Sequence, residues 1–315
     1  MSVSRRPTRK RVAILAALAV TTSCGCAGAG RRSLDLEPVG RQVIPVFVVD
    51  GVPARIHTQG LYVTPRYYTL TGRLETPPRR ALLIRVDRRD PRHVETLDIT
   101  PSPLGGRRLD HPGGFDSDGQ ALWIPVAESR RGGGSVILRV PLRPADPLNA
   151  VTPEVAFTVN DHIGAIAVDP EAKRLYGANW DTELVYVWAF DGRLIERIPR
   201  AELVSDDPDW GLAVQDWKCV GPGRVLAGGI DKSPDRDPSA SPAVVAWLDL
   251  RQRLCLASAR LPRPAGLDKP VTNEGLDLVE DQLYLLPGDL GEGTEVFQYH
   301  VVPPERIRHH PGTDR

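Results

Sequence analysis

One short phrase recurs along the chain and limits what the chain can fold into. Asp110-His111-Pro112-Gly113 and Asp161-His162-Ile163-Gly164 are near copies, and His57-Thr58-Gln59-Gly60, Pro208-Asp209-Trp210-Gly211 and Thr272-Asn273-Glu274-Gly275 are looser ones. Their glycines stand 53, 51, 47 and 64 residues apart. Apolar runs separated by turns follow each copy. A recurrence of roughly 40–50 residues with strand-like segments between is the pattern of a β-propeller, each repeat making one four-stranded blade.

The apolar runs fill such blades in order. Residues 61–64, 67–70, 81–86 and 94–99 give a first blade; 114–117, 121–127, 135–140 and 154–159 a second. The third repeat is the most regular, with 165–168, 174–178, 184–190 and 194–198, and Asp191-Gly192 is a strong hairpin signal between its last two runs. Residues 212–214, 225–230, 244–250 and 254–259 give a fourth blade, and the insertion 231–242 accounts for the long 64-residue step. The fifth repeat has only three runs, 276–279, 282–286 and 295–301. The run 43–50 (VIPVFVVD) is expected to supply the missing strand from the other end of the chain. The fold class expected is therefore all-β, a five-bladed propeller; a six-bladed ring needs about 45 more residues than the runs provide. Thirty prolines and 29 glycines suit such a turn-rich chain.

The N-terminus has the order of an export signal. Arg5, Arg6, Arg9, Lys10 and Arg11 precede the apolar run 12–20, which is too short for the ~20 residues of a spanning helix. Thr22-Ser23-Cys24 resembles the lipobox of bacterial lipoproteins and marks Cys24 as the lipidated residue. The domain division expected is a signal over 1–30, a tether over 31–42, the propeller over 43–302 and a disordered tail over 303–315. Export to the periplasm or outer membrane, or secretion, follows, with membrane contact through the lipid alone. Cys219 and Cys255, both in the fourth repeat, are either a disulfide of an exported protein or two thiols. Lys plus Arg and Asp plus Glu are each 40, so no net charge argues for a nucleic-acid partner.

Blade geometry tells where a site belongs. The start of each innermost strand and the end of its antiparallel neighbour open on one face. That rim is expected to gather His57, Asp110, His111, Asp161, His162, Asp209, Asn273 and Glu274 with Glu128, Asn179, Asp181, Asp231 and Asp289. Asp110, His111, Asp161, His162, Asn179, Asp209 and Glu274 are the candidate ligand-binding residues; Glu274, Asp209 and His162 are the candidate metal ligands. Oxygen donors suit a divalent cation such as Ca²⁺, and imidazoles shift the preference toward Zn²⁺. The repeated Asp-His phrase also has a structural reading, with Asp accepting backbone N–H groups and His tying blades together. Trp180 and Trp210 are expected near the rim. Gly132-Gly133-Gly134 lacks the Lys-Ser/Thr that a phosphate loop needs, and no Gly-x-Ser-x-Gly elbow is present.

His111-Pro112-Gly113-Gly114, Leu122-Trp123-Ile124-Pro125-Val126-Ala127-Glu128 and Val159-Asn160-Asp161-His162-Ile163-Gly164 resemble the signature segments of an uncharacterised family of bacterial β-propeller proteins. That resemblance implies the fold and no activity. More distantly, Asn273-Glu274-Gly275-Leu276 with Leu283-Tyr284-Leu285 is similar to exported propellers of the phytase-like and esterase-like kind, which implies calcium and acidic residues. Two functions stay open: a module of the cell envelope binding or scaffolding a small-molecule or protein ligand, and a metal-assisted hydrolase of an ester, lactone or phosphoester. A third, protein docking through the 231–242 insertion, rests on that loop alone.

Overall fold

The computed structural model describes residues 32–103, 105–143, 145–233, 237, 240–290 and 294–302. The expected signal, Cys24 and the tail 303–315 lie outside the described residues. Five antiparallel sheets form the blades of a propeller. Blade 1 is Ile56–Val63, Tyr67–Leu74, Arg80–Asp87 and Val94–Asp98. Blade 2 has a broken innermost strand, His111–Pro112 and Asp116–Ser117, followed by Ala121–Ala127, Ser135–Pro141 and Glu154–Val159. Blade 3 is Ile163–Asp169, Arg174–Asn179, Leu184–Ala189 and Leu194–Pro199. Blade 4 is Leu212–Gly221, Arg224–Asp231, Ala243–Asp249 and Leu254–Arg260. Blade 5 starts with Gly275–Val279, Gln282–Leu286 and Thr294–Val302. Among the described residues no helix is long and apolar enough to cross a membrane.

The ring is closed from the N-terminus, though by a different segment from the one expected. Asp35–Ile44 is the fourth strand of blade 5, antiparallel to Thr294–Val302. Just before it, Arg32–Ser33 adds parallel to the outer strand of blade 4, and Leu34 is buried between the two blades. Residues 32–42 are thus sheet and not tether. Their polarity misled the reading because an outermost strand is solvated on most of its surface: only Ile44 of the ten residues is buried. The apolar run 43–50 contributes Val43 and Ile44 to this strand, then turns into a hairpin of Val48–Val49 and Val52–Pro53. Asp50 and Gly51 both have positive φ, the geometry that an Asp-Gly turn favours. The hairpin buries Phe47 and Val49 against blades 1 and 5.

The core consists of five separate apolar layers, one between each pair of neighbouring blades. Leu83, Phe115 and Ile124 belong to the layer between blades 1 and 2, Ile137 and Ile166 to that between 2 and 3, and Ala165 and Trp217 to that between 3 and 4. Leu226 with Leu276 and Tyr284 with Leu61 mark the last two. Five layers exclude the six-bladed alternative. Trp210, expected near the rim, is buried in the third layer. Cys219 is a free thiol, so it forms no disulfide with Cys255, and burial pushes it up to about 12.

Buried carboxylates tie the innermost strands together across the axis. Asp216 of blade 4 accepts from Leu61 N of blade 1 (3.0 Å), Leu276 N of blade 5 (3.1 Å) and Lys218 Nζ (2.7 Å). Asp116 of blade 2 accepts from Val168 N of blade 3 and Cys219 N of blade 4, and Asp277 of blade 5 accepts from Val63 N of blade 1. Two of the recurring glycine sites explain themselves here. A Cβ at Gly113 would run into Gly164 O, and one at Gly275 would sit 2.7 Å from Leu61 N. At these positions the chain packs against a neighbour with no room for a side chain, whereas Gly164 has room for a Cβ.

Three carboxyls and one ammonium in a dry core favour protonated acids. Burial, opposed by Lys218, pushes Asp216 up to about 6 and Asp277 up to about 7, and raises Asp116. Folded protein therefore holds more protons than unfolded chain from about pH 4 to 7, and these groups favour folding less as pH rises through that window. In urea unfolding, Asp277→Asn is expected to flatten the pH dependence between pH 4 and 7. Asp216→Ala takes the acceptor from the N–H groups of Leu61, Trp217 and Leu276 and leaves the buried Lys218 ammonium with only the Phe115 carbonyl, and is expected to cost about 3 kcal/mol or more.

Candidate functional site

The starts of the innermost strands and the ends of their neighbours do open on one face, and side chains from several blades meet there. His57 begins the innermost strand of blade 1, and Asp289 follows the second strand of blade 5; His57 Nδ1 donates to Asp289 Oδ1 at 2.8 Å. Glu274 precedes the innermost strand of blade 5, 2 % exposed, with His57 Nδ1 4.0 Å from its Oε1. One ligand atom from each of His57, Glu274 and Asp289 falls within 4.8 Å of the others. These three could hold a metal ion.

The surroundings of this group come from local irregularities in the chain. A bulge between Thr58 and Gly60 leaves Gln59 out of the ladder. Gln59 Nε2 lies 2.9 Å from both His57 Nε2 and Glu274 Oε2. Asn273 Nδ2 donates to Glu274 Oε1 at 2.5 Å. Lys269, in the loop before Glu274, bridges the two carboxylates, with Nζ 3.3 Å from Glu274 Oε1 and 3.1 Å from Asp289 Oδ2. Its side chain is 39 % exposed, so this ammonium can give way to another cation.

Electrostatics separate the two acids. Burial pushes Glu274 up to about 7 against the pull of His57 and Lys269. Burial acts on Asp289 too, but hydrogen bonds from His57 and Lys269 outweigh it and hold Asp289 down at about 2. For His57, burial is outweighed by the Asp289 hydrogen bond and the charges of Glu274 and Asp289, and its pKa is raised. The group borders a cleft of about 1060 Å³ between blades 5 and 1, whose walls include Arg41, Arg55, Glu75 and Lys269.

From His57 a row of rings crosses the mouth. His111 of blade 2 lies 5.7 Å from His57, His162 of blade 3 lies 5.4 Å from His111, and Trp180 lies 4.7 Å from His162, edge-on. His162 Nδ1 donates to Glu128 O at 2.7 Å. Burial lowers the pKa of both His111 and His162, that of His111 the further because His162 and His57 add their charge. Asp161 serves structure: it accepts from its neighbour His162 N (2.8 Å), from Asn179 Nδ2 (2.9 Å) and from Tyr186 OH (2.9 Å). Asp181 pairs with Arg131 and Lys232 at the same rim.

Of the candidate ligand-binding residues, the fold brings His111, Asp161, His162, Asn179 and Glu274 to this face with His57. Asp110 is buried and pairs with Arg108 Nε at 3.3 Å. Asp209 is exposed, and its backbone N–H donates to Asp207 Oδ1. The convergent group shares only Glu274 with the expected metal set of Glu274, Asp209 and His162. The ring of blades turns His162 toward blade 2, and Trp210 anchors the Asp209 loop in the core. Gln59 and Lys269 were not foreseen. Gln59 carried a signal, its place inside the recurring phrase; Lys269 carried none, because its loop follows no repeat.

A model of a family of unknown function (DUF6454) matches residues 95–237. No curated protein matches the chain in sequence. Among solved structures, a glycoside hydrolase of the GH130 family of mannoside phosphorylases, described as targeting β-1,2 mannosidic linkages in Candida mannan, is similar with a TM-score of 0.51 at 12% identity. That match covers 87% of this chain and 95% of the other. The PQQ-bound aldose sugar dehydrogenase from Streptomyces coelicolor is similar at a TM-score of 0.45 and 10% identity, covering 87% and 100%. A glycosidase-annotated structure from Bacteroides thetaiotaomicron gives 0.47 and 12%, covering 84% and 97%. At 12% identity the first of these shows a shared fold and nothing of the chemistry.

Lys269, after His57, keeps Glu274 from rising further. Lys269→Met is expected to move the Glu274 carboxyl above about 7 and to raise Asp289 from about 2, read as ¹³C carboxyl titrations. Unchanged titrations would mean that Lys269 does not bridge them in solution.

Proposed function

We propose that this chain is a ligand-binding propeller that holds a divalent cation at its mouth, and through it a small oxygen-bearing ligand in the adjoining cleft. The observation that carries this reading is the convergence of His57, Glu274 and Asp289 within 4.8 Å beside that cleft. An imidazole with two carboxylates suits Zn²⁺ or Mn²⁺ better than the all-oxygen shell that Ca²⁺ prefers. The cation supplies a positive anchor for ligand oxygens. Lys269 holds the carboxylates in place until the cation displaces it, and Gln59 and Asn273 fix the orientation of Glu274.

The place of work proposed is the bacterial envelope, outside the cytoplasm. Its support is the basic segment, the apolar run 12–20 and Cys24 in that order. The membrane is met through lipid on Cys24, the partner is a small molecule or a protein, and nucleic acid is not among the partners.

A second reading, a metal-assisted hydrolase of an ester, lactone or phosphoester, is favoured by one observation. Without a cation on it Glu274 is raised to about 7, so, with the cation held by His57 and Asp289, it would exchange a proton at neutral pH during attack by an activated water. Hydrolysis of p-nitrophenyl acetate or p-nitrophenyl phosphate that depends on added metal and is lost in Glu274→Gln would select this reading over binding alone.

The cation itself is tested first. Chelator-stripped protein is expected to bind one Zn²⁺ or Mn²⁺ by calorimetry and to gain thermal stability from it. Affinity should fall roughly 100-fold in Glu274→Gln or His57→Gln, with the fold intact by circular dichroism. No bound metal and no thermal shift with Zn²⁺, Mn²⁺ or Ca²⁺ would end the metal reading. Metabolic labelling with palmitate, lost in Cys24→Ser, checks the anchor.

A further inference from the structure

His111 stands on the axis side of the proposed cation site, and its contacts leave it one role. Arg73, on the second strand of blade 1, has NH1 at 3.2 Å from His111 Nδ1. A guanidinium only donates hydrogen bonds, so Nδ1 must accept, and the imidazole proton is confined to Nε2. Arg73 is itself clamped: NH1 donates to Ser129 Oγ at 2.6 Å, Nε donates to Glu75 Oε1 at 2.7 Å, and its side chain is only 12 % exposed. The tautomer is therefore set by a buried, fixed cation and not by a side chain free to turn over.

Among the described residues nothing accepts from His111 Nε2–H. Nor is Nε2 one of the sealed side-chain nitrogens that lack a partner, and His111 is half-buried. Its ring centroid is 5.7 Å from that of His57. A ligand oxygen held by the cation group and extending toward His111 meets a donor at its Nε2, and the acceptor Nε2 of His162 lies one ring beyond.

We infer that His111 is a specificity-determining residue of this site: it donates Nε2–H to an acceptor oxygen of the ligand, and Arg73 is the positioning residue that keeps the proton on that nitrogen. This rests on the ligand-binding reading above and narrows it. A donor without a lone pair selects the oxygens of a carboxylate or phosphoryl group, whose negative charge the cation and Lys269 offset. A hydroxyl can offer its own lone pair, but it wastes its hydrogen at this nitrogen and gains no charge from the site.

The experiment uses the whole folded protein with inorganic phosphate and acetate as probes, in metal-loaded and metal-free form, on ¹⁵N-histidine-labelled samples. Two-bond proton–nitrogen correlations are expected to show the Nε2–H tautomer for His111, and phosphate or acetate should shift that Nε2 signal. Arg73→Met should let the Nδ1–H tautomer appear, a change that a merely structural arginine would not produce. His111→Phe should weaken phosphate binding roughly tenfold, the size of one charge-assisted hydrogen bond, and His111→Gln should recover most of it. Metal affinity should stay within about twofold in both variants. An Nδ1–H tautomer in the unaltered protein, no shift at Nε2 with either anion, or unchanged phosphate affinity in His111→Phe would overturn the assignment. If His111→Phe fails to fold, the Arg73→Met tautomer and the anion titration decide alone. If the protein takes no metal, the cation reading fails by itself, and the metal-free titration still decides for or against His111.

Discussion

Carboxylates buried on the propeller axis hold the ring together. A toroid of separate sheets has apolar layers between its neighbours but an unsolved problem at its centre, where innermost strands present backbone N–H groups that no ladder satisfies. Asp116, Asp216 and Asp277 solve it by accepting those groups from other blades, and Asp216 alone joins blades 1, 4 and 5. The arrangement demands glycine where the strands close in, as at Gly114 and Gly275. It also demands a counter-charge, which Lys218 supplies from 2.7 Å. One ammonium for three carboxyls leaves an excess that burial turns into raised pKa values.

The mouth inherits its rigidity from that centre. His57, His111 and Glu274 all lie within a few residues of an axial glycine, so the close packing that excludes side chains at the axis also fixes the side chains just above it. Their environments then differ by what each meets. Glu274 is sealed and pushed up to about 7, whereas Asp289 sits at the open end between His57 and Lys269 and is held down at about 2. A site with one acid near neutrality and one far below it, next to a cleft, is the arrangement expected where a cation or a proton is exchanged.

Much of the ring was legible because strands buried between blades must be apolar at short, regular intervals, and the glycine phrase marked where each began. The closing strand was not legible. Asp35–Ile44 is solvated on most of its surface, so hydrogen bonding to Thr294–Val302 holds it and hydrophobicity does not announce it. The candidate site was legible by half. Repetition pointed to His111, His162 and Glu274, but repetition also carried Asp209, which stays exposed while its neighbour Trp210 packs in the core. Asp161 illustrates the two uses of one phrase: its carboxylate is consumed by Asn179 and Tyr186, while the histidine beside it turns to the mouth.

The sequence by itself determined an all-β chain, the number of blades and the face on which polar groups gather, because spacing and side-chain alternation are local properties. Only the tertiary structure decided which of those groups meet. His57, Glu274 and Asp289 are brought together by closure of blade 5 against blade 1, across more than 200 residues of chain. Lys269 and Arg73 acquire their roles solely from what lies opposite them. Distance in space, and the low dielectric that comes with burial, set the charge and proton positions of this site, and neither is written in the order of the residues.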